Sequence, residues 1–498
     1  MRVARAANTA QAAAPRYARH VPERTLLYAL VQAHYPDFIA RLVQEDRSLP
    51  AYVREEFEAF LRCGVLDHGF LRVVCEQCRD ERLVAFSCKK RGFCPSCGAR
   101  RMAESARHLV EEVFGARPVR QWVLSFPVPL RFLFASKPDA IGPVLGIVHR
   151  VIAGWLADQT GIDRTSARCG AVTLIQRFGS ALNLNIHFHM LWLDGVYEPV
   201  AARPVKPRLH RARAPTSAQL TQLAGTIARR VCRHLTRKGW LEGEDESAFL
   251  SDSAGSDDGM DGLRMSSITY RVATGAQAGR KVATLQTIPA DADALQGDAG
   301  QVGGFSLHAG VAAEAHESQK LERLCRYIAR PAISEKRLSI APKGKVRYQL
   351  KTPWRNGTTH VEWDPVDFIA KLAALVPPPR AHLTRFHGVF APNAKLRAQL
   401  TPSGRGKRPA TDPDSTDANA DRRTPDEKRR AMTWAQRLKR VFNIDVQACT
   451  HCGGAVRIVA SIEEPTAIRA ILAHFEKHGA LEQAHYRPKP RGPPALAA

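Results

Sequence analysis

Two closely spaced pairs of cysteines constrain the fold of this chain more than any other feature of its sequence. Cys75 and Cys78 form one CxxC pair, and Cys94 and Cys97 form a second pair after fifteen intervening residues. Four thiolates at these intervals are typical of a tetrahedral zinc site, in which a hairpin brings two tight turns together. The sequence therefore predicts a zinc ribbon in which these four residues hold one structural Zn²⁺.

Further metal-binding side chains lie near these pairs and near the C-terminus. The nearby ones are candidates for a substitute or second zinc site, although buried thiols of a small domain would give the same pattern. They are Cys63, His68 and Cys88. A third CxxC pair, Cys449 and Cys452, supplies half of another site, which His474 or His478 could complete. A thioredoxin-type redox role is disfavoured because this pair lacks a βαβ context.

The charge of the chain indicates a polyanionic partner. Its 498 residues carry a formal net charge of +25, and a charge of this size and sign favours binding to nucleic acid. Eleven cysteines without a secretory signal indicate a reducing compartment, where thiols bind metal instead of forming disulfides. We expect no membrane-spanning helix, because no run of 18 uncharged apolar residues is present.

Shifts in composition divide the chain into segments. We expect a disordered tail over 1–22, a helical and zinc-binding domain over 23–115, a larger domain over 116–400, a disordered linker over 401–432, a small module with the third CxxC pair over 433–480, and a tail over 481–498. Ten lysines and arginines without an acid fill 203–238, and eight acids without a base fill 241–262. The basic block is a candidate phosphate-contacting face, and the acidic block is predicted to be a solvated surface loop.

Hydrophobic periodicity predicts an α+β fold. Two helices are expected over 23–63, and a helix over 140–156 falls between β-type runs. Those runs are Val119–Phe126, Ala171–Arg177 and Leu182–Leu193. This order indicates an antiparallel sheet with helices on one side. Further along, a helix is expected over 318–330, and Asn356-Gly357 marks the turn of a hairpin.

His187 and His189 are a candidate pair of metal ligands. On a strand, residues two apart project to the same face, so both imidazoles can bind one divalent ion. Such a pair also occurs in cupins, in metallohydrolases, and as ordinary core or surface histidines. A metallohydrolase would carry a third histidine immediately downstream, where Leu191 and Trp192 stand instead. Two ligands leave an incomplete shell, which suits a catalytic ion that takes up a substrate phosphate oxygen.

Tyr327 lies between two arginines in the predicted helix over 318–330. Arg323 precedes it by four residues and Arg330 follows it by three, so all three side chains share one helix face. Two guanidinium groups beside a phenol could hold a phosphate against its oxygen. A tyrosine that stacks on surface arginines would give the same pattern.

Together with the zinc segment, these stretches resemble the rolling-circle transposases of the IS91 type, which belong to the HUH nuclease superfamily. The resemblance covers about residues 55–400, and the third CxxC pair also looks familial. The matching segments are SCKKRGFCPSCGARRMAE, RQWVLSFPVPLRFL, NLNIHFHMLWLDGVY, GFSLHAGV, LERLCRYIARP and RFHGVFAPNAKLR. The resemblance implies an HUH-type antiparallel sheet with helices packed on it, Mg²⁺ or Mn²⁺ held by His187 and His189, and Tyr327 as the nucleophile.

The chain departs from part of this family at one position. Members with two catalytic tyrosines place one of them four residues earlier, where this chain has Arg323, so it resembles the single-tyrosine branch. The third ligand of the catalytic ion stays open. His308 would lie on a neighbouring strand, whereas Glu322 on the tyrosine helix points some 140° away from Tyr327. We favour His308, although an ordinary strand histidine would fit equally well.

The resemblance implies an enzyme that cleaves and rejoins single-stranded DNA at insertion-sequence ends through a 5′-phosphotyrosine. We expect it at the nucleoid in the bacterial cytoplasm. A plasmid rolling-circle replication initiator would share this chemistry and is the first alternative. A zinc-dependent DNA-binding regulator without catalysis is the second, although it would need neither the histidine pair nor the arginine-flanked tyrosine. The sequence leaves the target site and the oligomeric state open.

Overall fold

The chain divides into two compact units in the computed structural model, which describes residues 21–198, 207–243, 249–256, 258–287, 299–402, 449, 451–481 and 485–486. The ribbon unit comprises Met1–Glu23, Arg62–Cys88 and Glu427–Ala498, and the sheet unit comprises Arg24–Leu61 and Lys89–Asp426. The tails and the linker predicted over 1–22, 401–432 and 481–498 fall almost entirely outside the described residues.

Both helices and strands are abundant, as the α+β prediction requires. The described helices are α1 (Leu26–Gln44), α2 (Ala51–Arg62), α3 (Pro95–Arg107), α4 (Val128–Ser136), α5 (Ile141–Thr160), α6 (Ser217–Arg237), α7 (Asp261–Ile268), α8 (Ser318–Ile328), α9 (Pro365–Leu375), α10 (Arg397–Leu400) and α11 (Pro465–Lys477). The described strands are β1 (Phe70–Cys75), β2 (Glu81–Ala85), β3 (Val119–Ser125), β4 (Gly170–Phe178), β5 (Leu184–Leu193), β6 (Gly195–Glu198), β7 (Arg208–Arg211), β8 (Leu241–Glu242), β9 (Phe249–Leu250), β10 (Ala283–Gln286), β11 (Ala299–Val302), β12 (Phe305–Ala313), β13 (Leu338–Ile340), β14 (Val346–Gln349), β15 (Thr358–Trp363), β16 (Thr384–Gly388), β17 (Val456–Ile462) and β18 (His485–Tyr486).

A six-stranded sheet forms the centre of the sheet unit. Its strand order is β11-β12-β3-β5-β4-β16, and every neighbouring pair is antiparallel. The strands predicted from the sequence are confirmed as β3, β4 and β5, and these three adjoin one another at the middle of the sheet. The two N-terminal helices, the helix with Tyr327 and the hairpin at Asn356-Gly357 also lie where they were predicted.

The central strand β5 buries both of its faces, so helices pack on both sides of the sheet and the prediction of helices on one side is wrong. Phe188 faces the side that carries α4, where its ring and those of Phe126 and Phe134 pack together. Leu191 and Leu193 face the other side, in a core that also contains residues of α8 such as Leu324. This second layer brings the helix with Tyr327 onto the face that carries His187 and His189.

The two charged blocks differ in how they are folded. The described part of the acidic block is not wholly solvated, because Asp258 and Asp261 pair with the buried guanidinium of Arg264 at 2.6 and 2.9 Å. The basic block forms the amphipathic helix α6, whose outer face exposes arginines. The exposed ones are Arg229, Arg230, Arg233 and Arg237. Residues 203–206, 244–248 and 257 of these blocks lie outside the described part of the chain.

The ribbon unit is one four-stranded antiparallel sheet with the order β17-β1-β2-β18. β17 pairs with β1, from Phe70 opposite Ile462 to Cys75 opposite Val456. The C-terminal segment is therefore no separate module as predicted, because it completes the sheet that residues 62–88 begin. Helix α11 covers this sheet with Ile468, Leu472 and Phe475, which pack with buried residues of the N-terminal segment.

One described helical segment, Pro138–Thr160, is long and apolar enough to cross a membrane by length and composition alone. Just over half of its most apolar stretch, 56%, is buried inside the protein. This burial is what a core helix shows, and Trp155 in it contacts Trp122 of β3 edge-on at 5.6 Å.

The aromatic cluster around Phe188 should be a main source of stability in the sheet unit. Phe188 is fully buried, so Phe188→Ala should lower the free energy of unfolding by about 3–5 kcal/mol through lost burial and a new cavity. Chemical denaturation followed by tryptophan fluorescence measures this, since Trp122, Trp155 and Trp192 all lie in this unit. Phe249→Ala is the matched control, because that ring is 58% exposed. Equal losses in both variants would contradict the assignment.

Candidate active site and metal sites

The two histidines of β5 converge on one point of the central sheet. Their Nε2 atoms lie 3.1 Å apart. Pairing with the two neighbouring strands fixes this face, since Ser125 of β3 and Gln176 of β4 both stand opposite His187. The predicted projection of both imidazoles to the same face is therefore confirmed.

Hydrogen bonds set the orientation of each ring. Nδ1–H of His187 donates to the carbonyl oxygen of Asn185 at 2.9 Å, which leaves the lone pair on Nε2. Nδ1 of His189 lies 2.7 Å from the side-chain amide of Gln121. An amide can donate through nitrogen or accept through oxygen, so Gln121 can support either neutral tautomer of His189. Both Nε2 atoms can thus offer lone pairs to the same point.

Burial keeps both imidazoles uncharged. Burial is the main cause, and together with the positive charge of Arg330 it lowers the pKa of His187 to about 4 and that of His189 to about 3. Both rings are therefore neutral at physiological pH, which is the form that binds metal.

The donor set fits a divalent cation. Two ligands at right angles and about 2.1 Å from one ion stand about 3 Å apart, close to the Nε2 separation found here. Among the described residues, no His, Cys, Asp or Glu joins this pair in a group of three whose ligand atoms all lie within 4.8 Å. His308 stands opposite Val123, one strand farther from His189, and its Nε2 lies 3.0 Å from where a Cβ on Gly310 would be. The structure thus does not bring His308 to the pair.

Gln176 is a further polar residue next to the histidine pair, and no pattern in the sequence predicted it. It stands directly opposite His187 on β4 and is 5% exposed. Its amide nitrogen donates to the carbonyl oxygen of Ile328 in α8 at 3.1 Å, and its buried Oε1 has no hydrogen-bond partner. A buried oxygen without a partner is costly unless it meets a ligand, so Gln176, which stands opposite His187, is a candidate third ligand for a cation.

Tyr327 lies over the histidine pair. Its ring meets that of His189 edge-on with centroids 6.3 Å apart, and the side chain is 40% exposed. Helix α8 places it there because the apolar face of α8, with Leu324 and Ile328, packs on the same face of the sheet. The predicted nucleophile and the predicted metal pair are thus brought together by the fold.

Two cations flank the tyrosine ring, but only one of them was predicted. The guanidinium carbon of Arg330 lies 4.4 Å from the ring centroid, and Nζ of Lys351 lies 4.1 Å from it. Arg323 is exposed on α8. Glu322, the other candidate ligand, forms an ion pair with Arg326 at 3.1 Å. Lys351 comes from the hairpin between β14 and β15, and no local sequence pattern relates it to Tyr327.

The ribbon unit contains a complete set of four thiols. The sulfur atoms of Cys75, Cys78, Cys449 and Cys452 all lie within 4.8 Å of one another. Two of the contacts between the CxxC pairs are 3.6 Å, close to the separation of about 3.8 Å between thiolates around a tetrahedral zinc. Burial raises the pKa of Cys75, but hydrogen bonds from the N–H groups of Cys78 and Gln77 and from neighbouring thiols lower it to about 7, whereas burial raises the pKa of Cys78 to about 12. The geometry and the chemistry both fit structural zinc.

This grouping corrects the predicted zinc set. Cys75 and Cys78 combine with the C-terminal pair because β17 pairs with β1, and not with Cys94 and Cys97 as the sequence spacing indicated. Cys94 and Cys97 belong to the sheet unit, where they are buried at the start of α3. Structural zinc needs four ligands and each CxxC turn supplies two, so the fold decides which two turns combine.

The other cysteines and histidines that the sequence suggested as zinc ligands lie outside the group of four thiols. In the ribbon unit, the backbone N–H of Cys88 donates to the sulfur of Cys63 at 3.2 Å. His68 is exposed and does not belong to the group of four thiols in the ribbon unit. The rings of His474 and His478 meet edge-on with centroids 4.6 Å apart. The predicted completion of the C-terminal pair by either histidine is wrong, because Cys75 and Cys78 complete it.

Two protein-family models match the chain. Residues 30–126 match one described as "Transposase zinc-binding domain", of the IS91 transposases, and residues 170–397 match one described as "Putative transposase". No curated protein and no solved structure gives a significant match. The matched ranges contain the CxxC pairs before residue 100, the histidine pair and Tyr327. They support a transposase of the IS91 type, and with it a zinc-binding and DNA-binding protein.

Cys449→Ser should release about one zinc per chain and destabilise the ribbon unit. Metal binding at such sites contributes to folding, on the order of 10 kcal/mol, so loss of one thiolate removes much of this stabilisation. Elemental analysis and the melting temperature measure both effects. Cys232→Ser on α6, outside all three CxxC pairs, is the control. Full zinc content in Cys449→Ser would instead favour the set predicted from the sequence.

Proposed function

We propose that this protein is a transposase that cleaves and rejoins single-stranded DNA at the ends of an insertion sequence. The observation that carries the proposal is the contact between Tyr327 and His189, because it places a partly exposed phenol beside two converging neutral imidazoles. A nucleophile, a cation site and flanking positive charges are the components that phosphoryl transfer requires.

In the proposed reaction, Oη of Tyr327 forms a bond to the phosphorus of a phosphodiester. The bond from phosphorus to the 3′ oxygen breaks. The phenol loses its proton, and the 3′ oxygen gains one. The products are a free 3′-hydroxyl and a 5′-phosphotyrosine. Rejoining is the reverse reaction with another 3′-hydroxyl, and it needs no ATP because the covalent link retains the energy of the broken bond.

His187, His189 and Gln176 would hold the catalytic Mg²⁺ or Mn²⁺. When bound, such a cation polarises the scissile phosphate and offsets negative charge in the transition state. Gln176 is favoured over His308 because it adjoins His187 in the sheet and its buried oxygen has no hydrogen-bond partner. An amide oxygen also suits a hard cation better than a third imidazole does.

The flanking cations would hold and stabilise the phosphate. Arg330 and Lys351 both lie against the tyrosine ring, so a phosphate that approaches Oη enters their positive field. Arg330 also donates to the carbonyl oxygen of Tyr327 at 2.8 Å, which ties it to the end of α8. Arg323 is exposed on α8 and would contact the incoming DNA strand instead of the phosphate at Oη.

A single tyrosine would carry the chemistry. The position four residues before Tyr327 is Arg323, and the hydroxyl of the fully buried Tyr348 accepts a hydrogen bond from the backbone N–H of Ser334. One protomer would then form one covalent link at a time. Transfer of both element ends requires either reuse of Tyr327 or a second protomer.

Single-stranded DNA is the proposed partner, and the nucleoid of the bacterial cytoplasm is the proposed location. The net charge of +25 and the exposed arginines of α6 support a nucleic-acid substrate. A plasmid replication initiator would use the same chemistry. Several genomic copies of the gene with fixed terminal sequences would favour the transposase.

Tyr327→Phe should abolish covalent attachment to DNA while leaving the fold and DNA affinity unchanged, because the ring stays and only the nucleophilic oxygen is lost. The assay incubates a labelled single-stranded element end with protein and Mn²⁺, and mass spectrometry maps the adduct. Tyr35→Phe is the control, since that ring stacks on Phe57 in another part of the unit. An adduct on Tyr270 or Tyr348, or two adducts on one chain, would overturn the mechanism.

Gln176→Ala should raise the Mn²⁺ concentration for half-maximal cleavage by at least about tenfold, because it removes a metal-binding oxygen. Gln176→Glu, which keeps an oxygen at the same place, should restore much of the affinity. His308→Ala is the matched comparison and should change the Mn²⁺ dependence little. A larger effect in His308→Ala than in Gln176→Ala would assign the third ligand to His308.

A further inference from the structure

The tip of the hairpin between β14 and β15 adjoins the proposed nucleophile. Lys351 follows β14 directly and places its Nζ 4.1 Å from the centroid of the Tyr327 ring. Three residues later, Trp354 lies in the turn that leads into β15. The cleavage reaction described above gives no role to this tryptophan.

The turn holds Trp354 in a fixed position. Its N–H donates to the carbonyl oxygen of Thr358 at 2.9 Å, and its carbonyl oxygen accepts from the N–H of Gly357 at 2.8 Å. The side chain of Asn356 accepts from the N–H of Thr358 at 3.2 Å. Gly357 has a φ of 78°, which favours glycine at this position. The indole is thus presented by a closed, hydrogen-bonded turn.

A second aromatic ring stands beside Trp354. The rings of Trp354 and Tyr270 meet nearly perpendicularly, at 82° with centroids 5.3 Å apart, and both side chains are partly exposed. An edge-to-face pair leaves ring faces open for a further aromatic partner. Tyr270 has a φ of 58°, which is uncommon for a bulky residue and frequent at functional sites.

Electrostatic interactions connect this aromatic pair to the active site. The Arg131 guanidinium interacts electrostatically with both Tyr270 and His187. Lys351 precedes the turn that carries Trp354 and contacts the Tyr327 ring, and Arg355 is exposed at the tip of this turn. The turn that carries Trp354 therefore has a cation on either side of this residue in the sequence, Lys351 and Arg355.

We propose that Trp354 and Tyr270 form a stacking site for one unpaired nucleobase next to the phosphate that Tyr327 attacks, and that Lys351 contacts a phosphate of the same strand. This inference rests on the proposed function and adds the way in which the strand is held. Proteins that bind single strands combine such rings with cations, and each stacked base contributes about 1–3 kcal/mol. Stacking requires an unpaired base, so the site selects single-stranded over duplex DNA.

The test measures coupling between Trp354 and one base of the strand. Full-length protein carrying Tyr327→Phe, which cannot form the adduct, is titrated with fluorescent oligonucleotides of the element end. One abasic nucleotide is moved through the positions that flank the cleavage point. Trp354→Ala should weaken binding of the intact strand about 5- to 150-fold. This effect should disappear when the abasic nucleotide occupies one particular position, and Trp354→Phe should retain most of the affinity.

Trp240→Ala is the matched control, because this partly buried tryptophan lies elsewhere in the sheet unit. It should cause no loss that depends on the abasic position. Loss of affinity in Trp354→Ala that is equal for every abasic strand would overturn the proposal, as would equal loss for duplex DNA. Melting temperatures of the variants identify any loss that follows from unfolding.

Lys351→Gln tests the phosphate contact. The slope of the logarithm of the binding constant against the logarithm of salt concentration should fall by about 0.7, the value for one phosphate of a single strand. An unchanged slope would remove Lys351 from the proposal. The adduct assay with unaltered protein keeps the two hypotheses separate. Coupling without an adduct would refute the proposed function alone, and an adduct without coupling would refute the stacking site alone.

Discussion

The antiparallel pairing of β5 with β3 and β4 is the constraint on which the proposed active site depends. Pairing fixes which residues share a face, and a shift by one residue would move His187 and His189 to the opposite face. The same register places Gln176 beside His187. Burial of Phe188 on the other face stabilises this register, because exposure of that ring would be costly.

Burial also determines the chemical state of the site. Two imidazoles with Nε2 atoms 3.1 Å apart would repel each other if both were protonated, and desolvation keeps them neutral. The positive charges of Arg330 and Lys351 lie at the tyrosine ring, where a phosphate can enter. The neutral imidazoles and the cations around the phenol would divide the proposed site into a metal-binding part and an anion-binding part.

The link between Gln176 and α8 joins these two parts. Its amide nitrogen donates to the carbonyl oxygen of Ile328, the residue after Tyr327, and its buried oxygen has no hydrogen-bond partner. A ligand at that oxygen would therefore fix the end of the helix that carries the proposed nucleophile. Positioning of reacting groups in this way contributes much of the rate enhancement in phosphoryl transfer.

The ribbon unit shows why a motif does not identify its own partners. Each CxxC turn is a local structure, and the sequence shows all three of them. Cys75 and Cys78 have their partners more than 370 residues away, since the sulfur contacts join Cys75 to Cys452 and Cys78 to Cys449. Strand pairing between β1 and β17 decides this combination, and spacing along the chain cannot show it.

The sequence by itself determined the local structure: the strand with two histidines on one face, the helix that carries Tyr327, and the hairpin at Asn356-Gly357. Periodicity and turn residues act over a few positions, so these features can be read without a fold. Only the tertiary structure decided which segments meet. It grouped the four thiols, set His308 apart from the histidine pair, and brought Gln176 and Lys351 to the site. Contacts between residues distant in sequence depend on sheet order and helix packing, and single-sequence patterns contain no information on these.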